Sequence, residues 1–254
     1  MAVVPGTLRT GGVPFGTTHW SVIAACSPNE QSSEAAHAAL TQLCRDYWPP
    51  LYSFVRRRGY SSADAQDLVQ GFFAIFLKSR AYARSDQRKG KFRSFLLASI
   101  KHYMADVWDR ERALKRGGAH EFVLLDETIV ALENRRSVQS PPDALGAERE
   151  FEQRWADTLV THALARVEAE FTGESRQRLF DELKPFLCGG AALPSQDEIA
   201  QRLRMPIETL RSHLSRLRSR YRDLLRDEVA RTVSPNDDVD EELRHLCRVL
   251  TATC

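Results

Sequence analysis

"YSSADAQDLVQGFF", residues 60–73, has the pattern of a helix that opens on acid and closes on phenylalanines. At about 100° per residue, with Asp67 as origin, Asp64 and Gln70 share its face. Leu68, Val69, Phe72, Ile75 and Phe76 fill the opposite, core-directed arc. Ser61 stands at the N-cap with Asp64 at the capping-box position. The outward strip carries acid and amide but no basic residue, in a chain whose formal net charge is +2.

Upstream, Leu40, Leu43, Tyr47, Leu51, Phe54 and Val55 recur at helical steps, and Gly59 is placed to stop that helix. "WPP" (48–50) is expected to break or kink it, because proline lacks an amide proton and clashes with the preceding turn. Downstream, the basic loop "SRAYARSDQRKGK" (79–91) leads into "FRSFLLASIKHYMADVWDRERALKR" (92–116). That segment mixes Phe92, Phe95, Tyr103 and Trp108 with Arg93, Lys101, His102, Arg110 and Arg112. Cations for the backbone and rings for unstacked bases suit single-stranded nucleic acid, although Phe95 and Tyr103 fit a core equally well.

The rest of the chain is also helical in pattern, and an all-α fold of two helical domains joined by a linker is expected. Residues 1–34 form an N-terminal extension, and residues 35–116 are the first helical block. Residues 117–150, punctuated by a glycine pair and "SPPD", lack periodicity and form the linker; "FVLLDETIV" (122–130) is the only strand-like run. A second block spans 151–233, divided by "CGGAALPS" (188–195), and an acidic helix spans 234–254. Ordinary packing of its Val239, Leu243, Leu246 and Leu250 is the default for that tail. It is also placed to pack against the second block, or to compete with DNA for that block's arginines.

Within the second block, "PSQDEIAQRLRMPIETLRSHLSRLRSRYRDLL" (194–225) has the pattern of a helix-turn-helix. Ser195 and Glu198 form a capping box, a tight turn follows at Arg204–Met205, and Pro206 suits the start of a helix. Leu210, Leu214, Leu217 and Leu224 mark one face of the second helix, while Arg211, Ser212, Arg216, Arg218, Arg220 and Arg222 occupy the other. Early residues on such a face reach base edges and later arginines hold phosphates.

Charge is unevenly distributed. Residues 84–116 hold ten Lys/Arg against four acids, 207–222 five arginines against one glutamate, and 234–254 five acids against two arginines. The two basic stretches attract polyanions such as DNA. The five cysteines are scattered without a C-x-x-C pair, which argues against disulfides and zinc, and the seven histidines are dispersed. No nucleophile–base pair, phosphate loop or metal cluster is visible, so neither catalytic residues nor a cofactor or metal is expected. No apolar run approaches the 18 or so residues of a membrane span, and the N-terminus lacks a signal-peptide pattern. A cytoplasmic location without membrane attachment is expected.

"DAQDLVQGFF" followed by "KFRSFLLASIKHYMADVWDRERALKR" resembles region two of bacterial RNA polymerase sigma factors of the extracytoplasmic-function (ECF) type. The helix-turn-helix stands where their region four would be. "FGTTHWSVI" (15–23), "LCRDYWPPLYSFVRRRGY" (43–60), "ELKPFLCGG" (182–190) and "DVDEELRHL" (238–246) extend the likeness to a long-chain subgroup with terminal extensions. The resemblance implies that Asp64, Asp67 and Gln70 bind the coiled-coil of the largest catalytic subunit of core RNA polymerase, with region four on the flap of the second large subunit. It implies that Arg88, Lys91, Arg93, Phe95, Lys101 and His102 read and open the minus-ten element. Arg211, Ser212, His213 and Arg216 would face the minus-thirty-five element of promoter DNA.

Three departures stand out. Gln66 replaces a usual glutamate, Arg204 and Pro206 occupy a turn that usually carries glycine and serine, and His213 replaces a usual arginine. Phosphate on Ser61 or Ser62 would add about −1.5 to −2 charge at a helix N-terminus. A Ser/Thr kinase, like an anti-sigma factor, is therefore a partner that the resemblance implies. The rival readings are a stand-alone helix-turn-helix regulator of duplex DNA and a protein that only sequesters polymerase.

Overall fold

The structure, a computed structural model, describes residues 34–84, 90–115, 144–188, 193–233 and 237–251. Among the described residues there are nine α-helices, one 3-10 turn and no strand. The N-terminal extension, the strand-like run, Arg88 and most of the expected linker lie outside them. None of the described helices is long and apolar enough to cross a membrane.

Helices α1 (Glu34–Arg57), α2 (Ser62–Lys78) and α3 (Phe92–Lys115) make the first unit, with a 3-10 turn at Ala81–Arg84. Pro49 and Pro50 do not break α1, which continues past both of them. The two prolines withdraw the amides that the Arg45 and Asp46 carbonyls would have received. Tyr47, Leu51 and Phe54, all fully buried, fix the helix on both sides of them. Burying one such side chain is worth roughly 1.5–3 kcal/mol, so packing outweighs the proline penalty. Gly59, at φ +93°, ends the segment as expected.

On α2 the apolar arc is as the spacing predicts: Leu68, Val69, Phe72 and Phe76 are buried, and Phe92, Leu96 and Ile100 of α3 close over them. A side-chain carbon at Gly71 would stand 2.3 Å from the Tyr103 hydroxyl oxygen. Glycine there lets the α3 tyrosine lie against α2.

The second block differs from expectation at its start. Helix α4 (Ala144–Ala169) begins inside the segment read as linker. Its first half packs on α1: Ala147, Phe151, Trp155 and Leu159 are buried in the same core as Tyr47 and Phe92. The Tyr47 and Trp155 rings stack at 4.4 Å and 7°. Helices α5 (Glu174–Leu183), α6 (Pro185–Cys188), α7 (Gln196–Leu203), α8 (Ile207–Ala230) and α9 (Val239–Thr251) follow. Val167 of α4 joins Phe180, Leu183, Ile199, Leu210, Leu214, Leu217 and Leu224 in a second core. The cores therefore do not divide at the expected domain boundary. Val229 and Val233, at and just past the end of α8, and Leu246 of α9 return to the first core.

Candidate nucleic-acid interface

The α2 strip is exposed along its length, with Asp64, Gln66, Asp67 and Gln70 all facing solvent. Its N-terminus is capped as the sequence predicts. The Asp64 amide donates to Ser61 Oγ at 3.1 Å, and the Ser61 hydroxyl donates to Asp64 Oδ2 at 2.6 Å. Ser62 Oγ lies 3.0 Å from the Tyr52 hydroxyl. Asp64 is thus shared with its own cap, whereas Asp67 and Gln70 lie outward of it along the helix.

The α3 group has a different setting from the one its composition suggests. Arg93 is 3% exposed rather than displayed: its Nε donates to both Glu152 oxygens at 3.1 Å, and its Nη1 pairs with Glu242 at 2.5 Å. Lys91, immediately before α3, pairs with the same Glu242. Lys101 donates to Glu148 at 2.5 Å. Lys91, Arg93 and Lys101, the expected nucleic-acid cations among the described residues, are therefore held by carboxylates of α4 and α9 in this conformation.

Phe95 is half-buried between Phe92 and Phe76, with ring centroids 6.0 and 6.3 Å away. His102 is half-buried too; burial, assisted by Lys101, lowers its pKa and keeps it neutral near pH 7. The exposed ring of α3 is instead Trp108, 51% accessible, with the Arg112 guanidinium 4.2 Å from its centroid. Sequence reasoning counted Trp108 in the aromatic–basic mixture but did not place it at the site.

Helices α7 and α8 form the segment expected to be a helix-turn-helix. The capping box is complete: Glu198 N donates to Ser195 Oγ and Ser195 N to Glu198 Oε2, each at 3.1 Å. Arg204 takes the left-handed conformation (φ 52°, ψ 45°) that glycine would adopt at less cost. The Met205 amide closes the turn on the Ala200 carbonyl at 3.0 Å. Leu210, Leu214 and Leu217 turn inward, leaving Arg211, Ser212, Arg216, Arg218 and Arg222 exposed and His213 half-buried. Arg211 donates to Glu208 at 2.9 Å, and Arg220 is tied to Glu170, whose pKa it lowers through that hydrogen bond. The α2 strip, the α3 cations and the α8 arginines lie on three different helices, and the structure does not merge them into one site.

Glu148, Glu152 and Glu242 escaped the sequence reading. Their only signals are an i, i+4 pair on one helix and one acid among several on another, neither of which names a partner.

A model of the Sigma-70 region 2 family matches residues 43–114, which run from within α1 to the last turn of α3. The match supports a sigma-70 family sigma factor, with the RNA polymerase and promoter contacts that such a domain implies. No curated protein and no solved structure matches the chain.

Proposed function

We propose that this protein is a sigma factor of the ECF type, recruiting core RNA polymerase to a two-part promoter and helping to melt its downstream part. The observation that carries the reading is the exposed Asp64–Asp67–Gln70 strip on α2. It lies inside the segment with region 2 character, backed by a basic, aromatic α3. The strip presents acid to the largest catalytic subunit, while its apolar back anchors it to α1 and α3. Lys91, Arg93 and Lys101 supply phosphate contacts at the downstream element once they are released, and Trp108 offers a face for an unstacked base. On α8, Arg211, Ser212, His213 and Arg216 face the upstream element, with Arg218 and Arg222 along the backbone.

The test is run-off transcription with core polymerase. Asp67→Arg places a cation in the strip at an exposed position, so it is expected to abolish core association with an unchanged thermal melt. A stand-alone regulator of duplex DNA would instead bind DNA tightly alone and yield no transcript when core is added.

Regulation at the strip is part of the same proposal. Ser61 and Ser62 are exposed at the N-terminus of α2, where the helix dipole favours a phosphate and Gln66 leaves the strip one acid short. Normal core binding and initiation in cells by Ser61→Ala/Ser62→Ala protein would end that part of the reading. Promoter choice, an anti-sigma factor and cytoplasmic location belong to this proposal as expectations.

A further inference from the structure

Glu242 sits between two cations of the start of α3. It is 2% exposed, with one oxygen 2.5 Å from Arg93 Nη1 and the other on Lys91 Nζ. Glu152 holds the Nε side of Arg93, and His245 lies 3.4 Å from that carboxylate. One turn back along α4, Glu148 holds Lys101. Three carboxylates thus occupy three cations, one just before α3 and two on it.

The anchorage of α9 is slight by comparison with the rest of the core. Leu246 is its one buried apolar side chain, with Val239, Leu243 and Leu250 partly covered. Its remaining ties, such as Arg226 to Asp240, are exposed ion pairs of little worth. Helix α9 also packs on α4 and α8.

We infer that α9, acting through Glu242 on Lys91 and Arg93, is an internal occupant of the nucleic-acid face at the start of α3. The isolated chain is thereby held closed until α9 leaves. Arg93 cannot serve Glu242 and a phosphate at once, so the two ligands compete. Apparent DNA affinity is then the intrinsic affinity multiplied by the open fraction. The inference rests on the assignment of Lys91, Arg93 and Lys101 to DNA under the proposed function.

The experiment titrates the full chain, Glu242→Gln, Glu152→Gln and Glu241→Gln with a fluorescein-labelled single strand of mixed sequence, by anisotropy, over a range of KCl. Glu241 is exposed and lines the same groove as Lys91 and Glu242, so its substitution removes the same charge from the neighbouring residue while leaving the Glu242 pairs in place. Glu242→Gln is expected to tighten binding by about tenfold or more. Glu152 still holds the Nε side of Arg93 in that variant, so Lys91 is the contact freed, and at about 0.7 per contact on a single strand the salt slope is expected to steepen by roughly 0.7. Glu152→Gln is expected to shift in the same direction, and Glu241→Gln to match the parent chain.

Equal gains from Glu241→Gln and Glu242→Gln would reduce the effect to net charge and overturn the inference. So would a folded Glu242→Gln and a folded Glu152→Gln that bind no more tightly than the parent. Run-off transcription on the same proteins separates the two readings. Transcription without the affinity gain removes the closure and leaves the sigma reading standing. The affinity gain without transcription from any protein leaves the closure standing and removes the sigma reading.

Discussion

Arg93→Met removes the guanidinium of the buried triad while keeping most of its apolar stem. Burial alone would lower the Arg93 pKa, but Glu152 and Glu242 outweigh it and raise that pKa. Burial would likewise push the Glu242 carboxyl up, yet the charge of Arg93 and the bonds from Lys91 and Arg93 hold it below its usual value of 4.5. Removing one member of a buried pair costs about 3–5 kcal/mol, because a charge stays behind without its partner. Lys91 still reaches Glu242, and Glu152 is 24% exposed, so the lower end, about 3 kcal/mol, is expected. That is a large share of the roughly 5–15 kcal/mol that holds a typical domain together.

The pH dependence gives a second readout. A depressed carboxylate pKa contributes stability that is present above its unfolded value and lost as pH falls through the folded one. In Arg93→Met, burial dominates at Glu242, and its folded pKa rises above the unfolded value. The gap between parent and variant should therefore narrow as pH falls from neutrality toward about 5. Urea unfolding followed by circular dichroism at both ends of that range measures it. A variant within about 0.5 kcal/mol of the parent at neutral pH, or a gap that widens on acidification, would refute the buried triad. Arg93→Met/Glu242→Met should regain most of the loss, since replacing both charges by apolar groups is often neutral.

Two further outcomes follow from packing and titration. Trp155→Ala empties a fully buried site stacked on Tyr47 and should cost roughly 3–5 kcal/mol. Because Trp155 and Tyr47 belong to α4 and α1, probes placed in α1–α3 should report the same lowered urea midpoint as probes in α4. His162 Nε2 lies 3.2 Å from Asp46 Oδ1, and chiefly that hydrogen bond raises its pKa above 6.5 despite burial. Its contribution is therefore full below the unfolded value and lost as pH rises through the raised one. His162→Gln should lose roughly 1.5 kcal/mol below that window and match the parent above it, as read from urea midpoints across the range.

What the sequence makes legible here is short-range. The cap of Ser61 on α2, the Ser195–Glu198 box and the inward stripe of α8 each depend on residues within one or two turns. Periodicity and capping rules reach that far. The continuity of α1 past Pro49 and Pro50 was not legible, because their local penalty is visible while the burial of Tyr47, Leu51 and Phe54 that offsets it depends on other helices. Arg93 misleads in the opposite sense. Its charge and position suggest display, but its partners lie on α4 and α9, and Lys91 meets Glu242 across 151 residues. A run of acids near a chain's end announces sign, not address. Helices α7 and α8 and the tight turn between them were legible locally, whereas the contribution of α4 to both cores was not. The first half of α4 carries apolar residues among charges, with nothing to say which neighbour they bury against.

Because α4 belongs to both cores, the seams of this molecule are unequal, and that inequality decides where it opens. Parting α4 from α1 would expose Phe151, Trp155 and Leu159 together with Tyr47. At roughly 1.5–3 kcal/mol for each side chain, that cost approaches global unfolding. Parting α9 from the start of α3 exposes mainly Leu246 and a set of charges. Water or phosphate can resolvate those charges, so the penalty for separating them is largely returned on opening. The weak seam is thus the one that covers Lys91 and Arg93, while α2 packs on α1 and α3, away from it. A fold built this way can present its α2 strip continuously and its α3 cations conditionally.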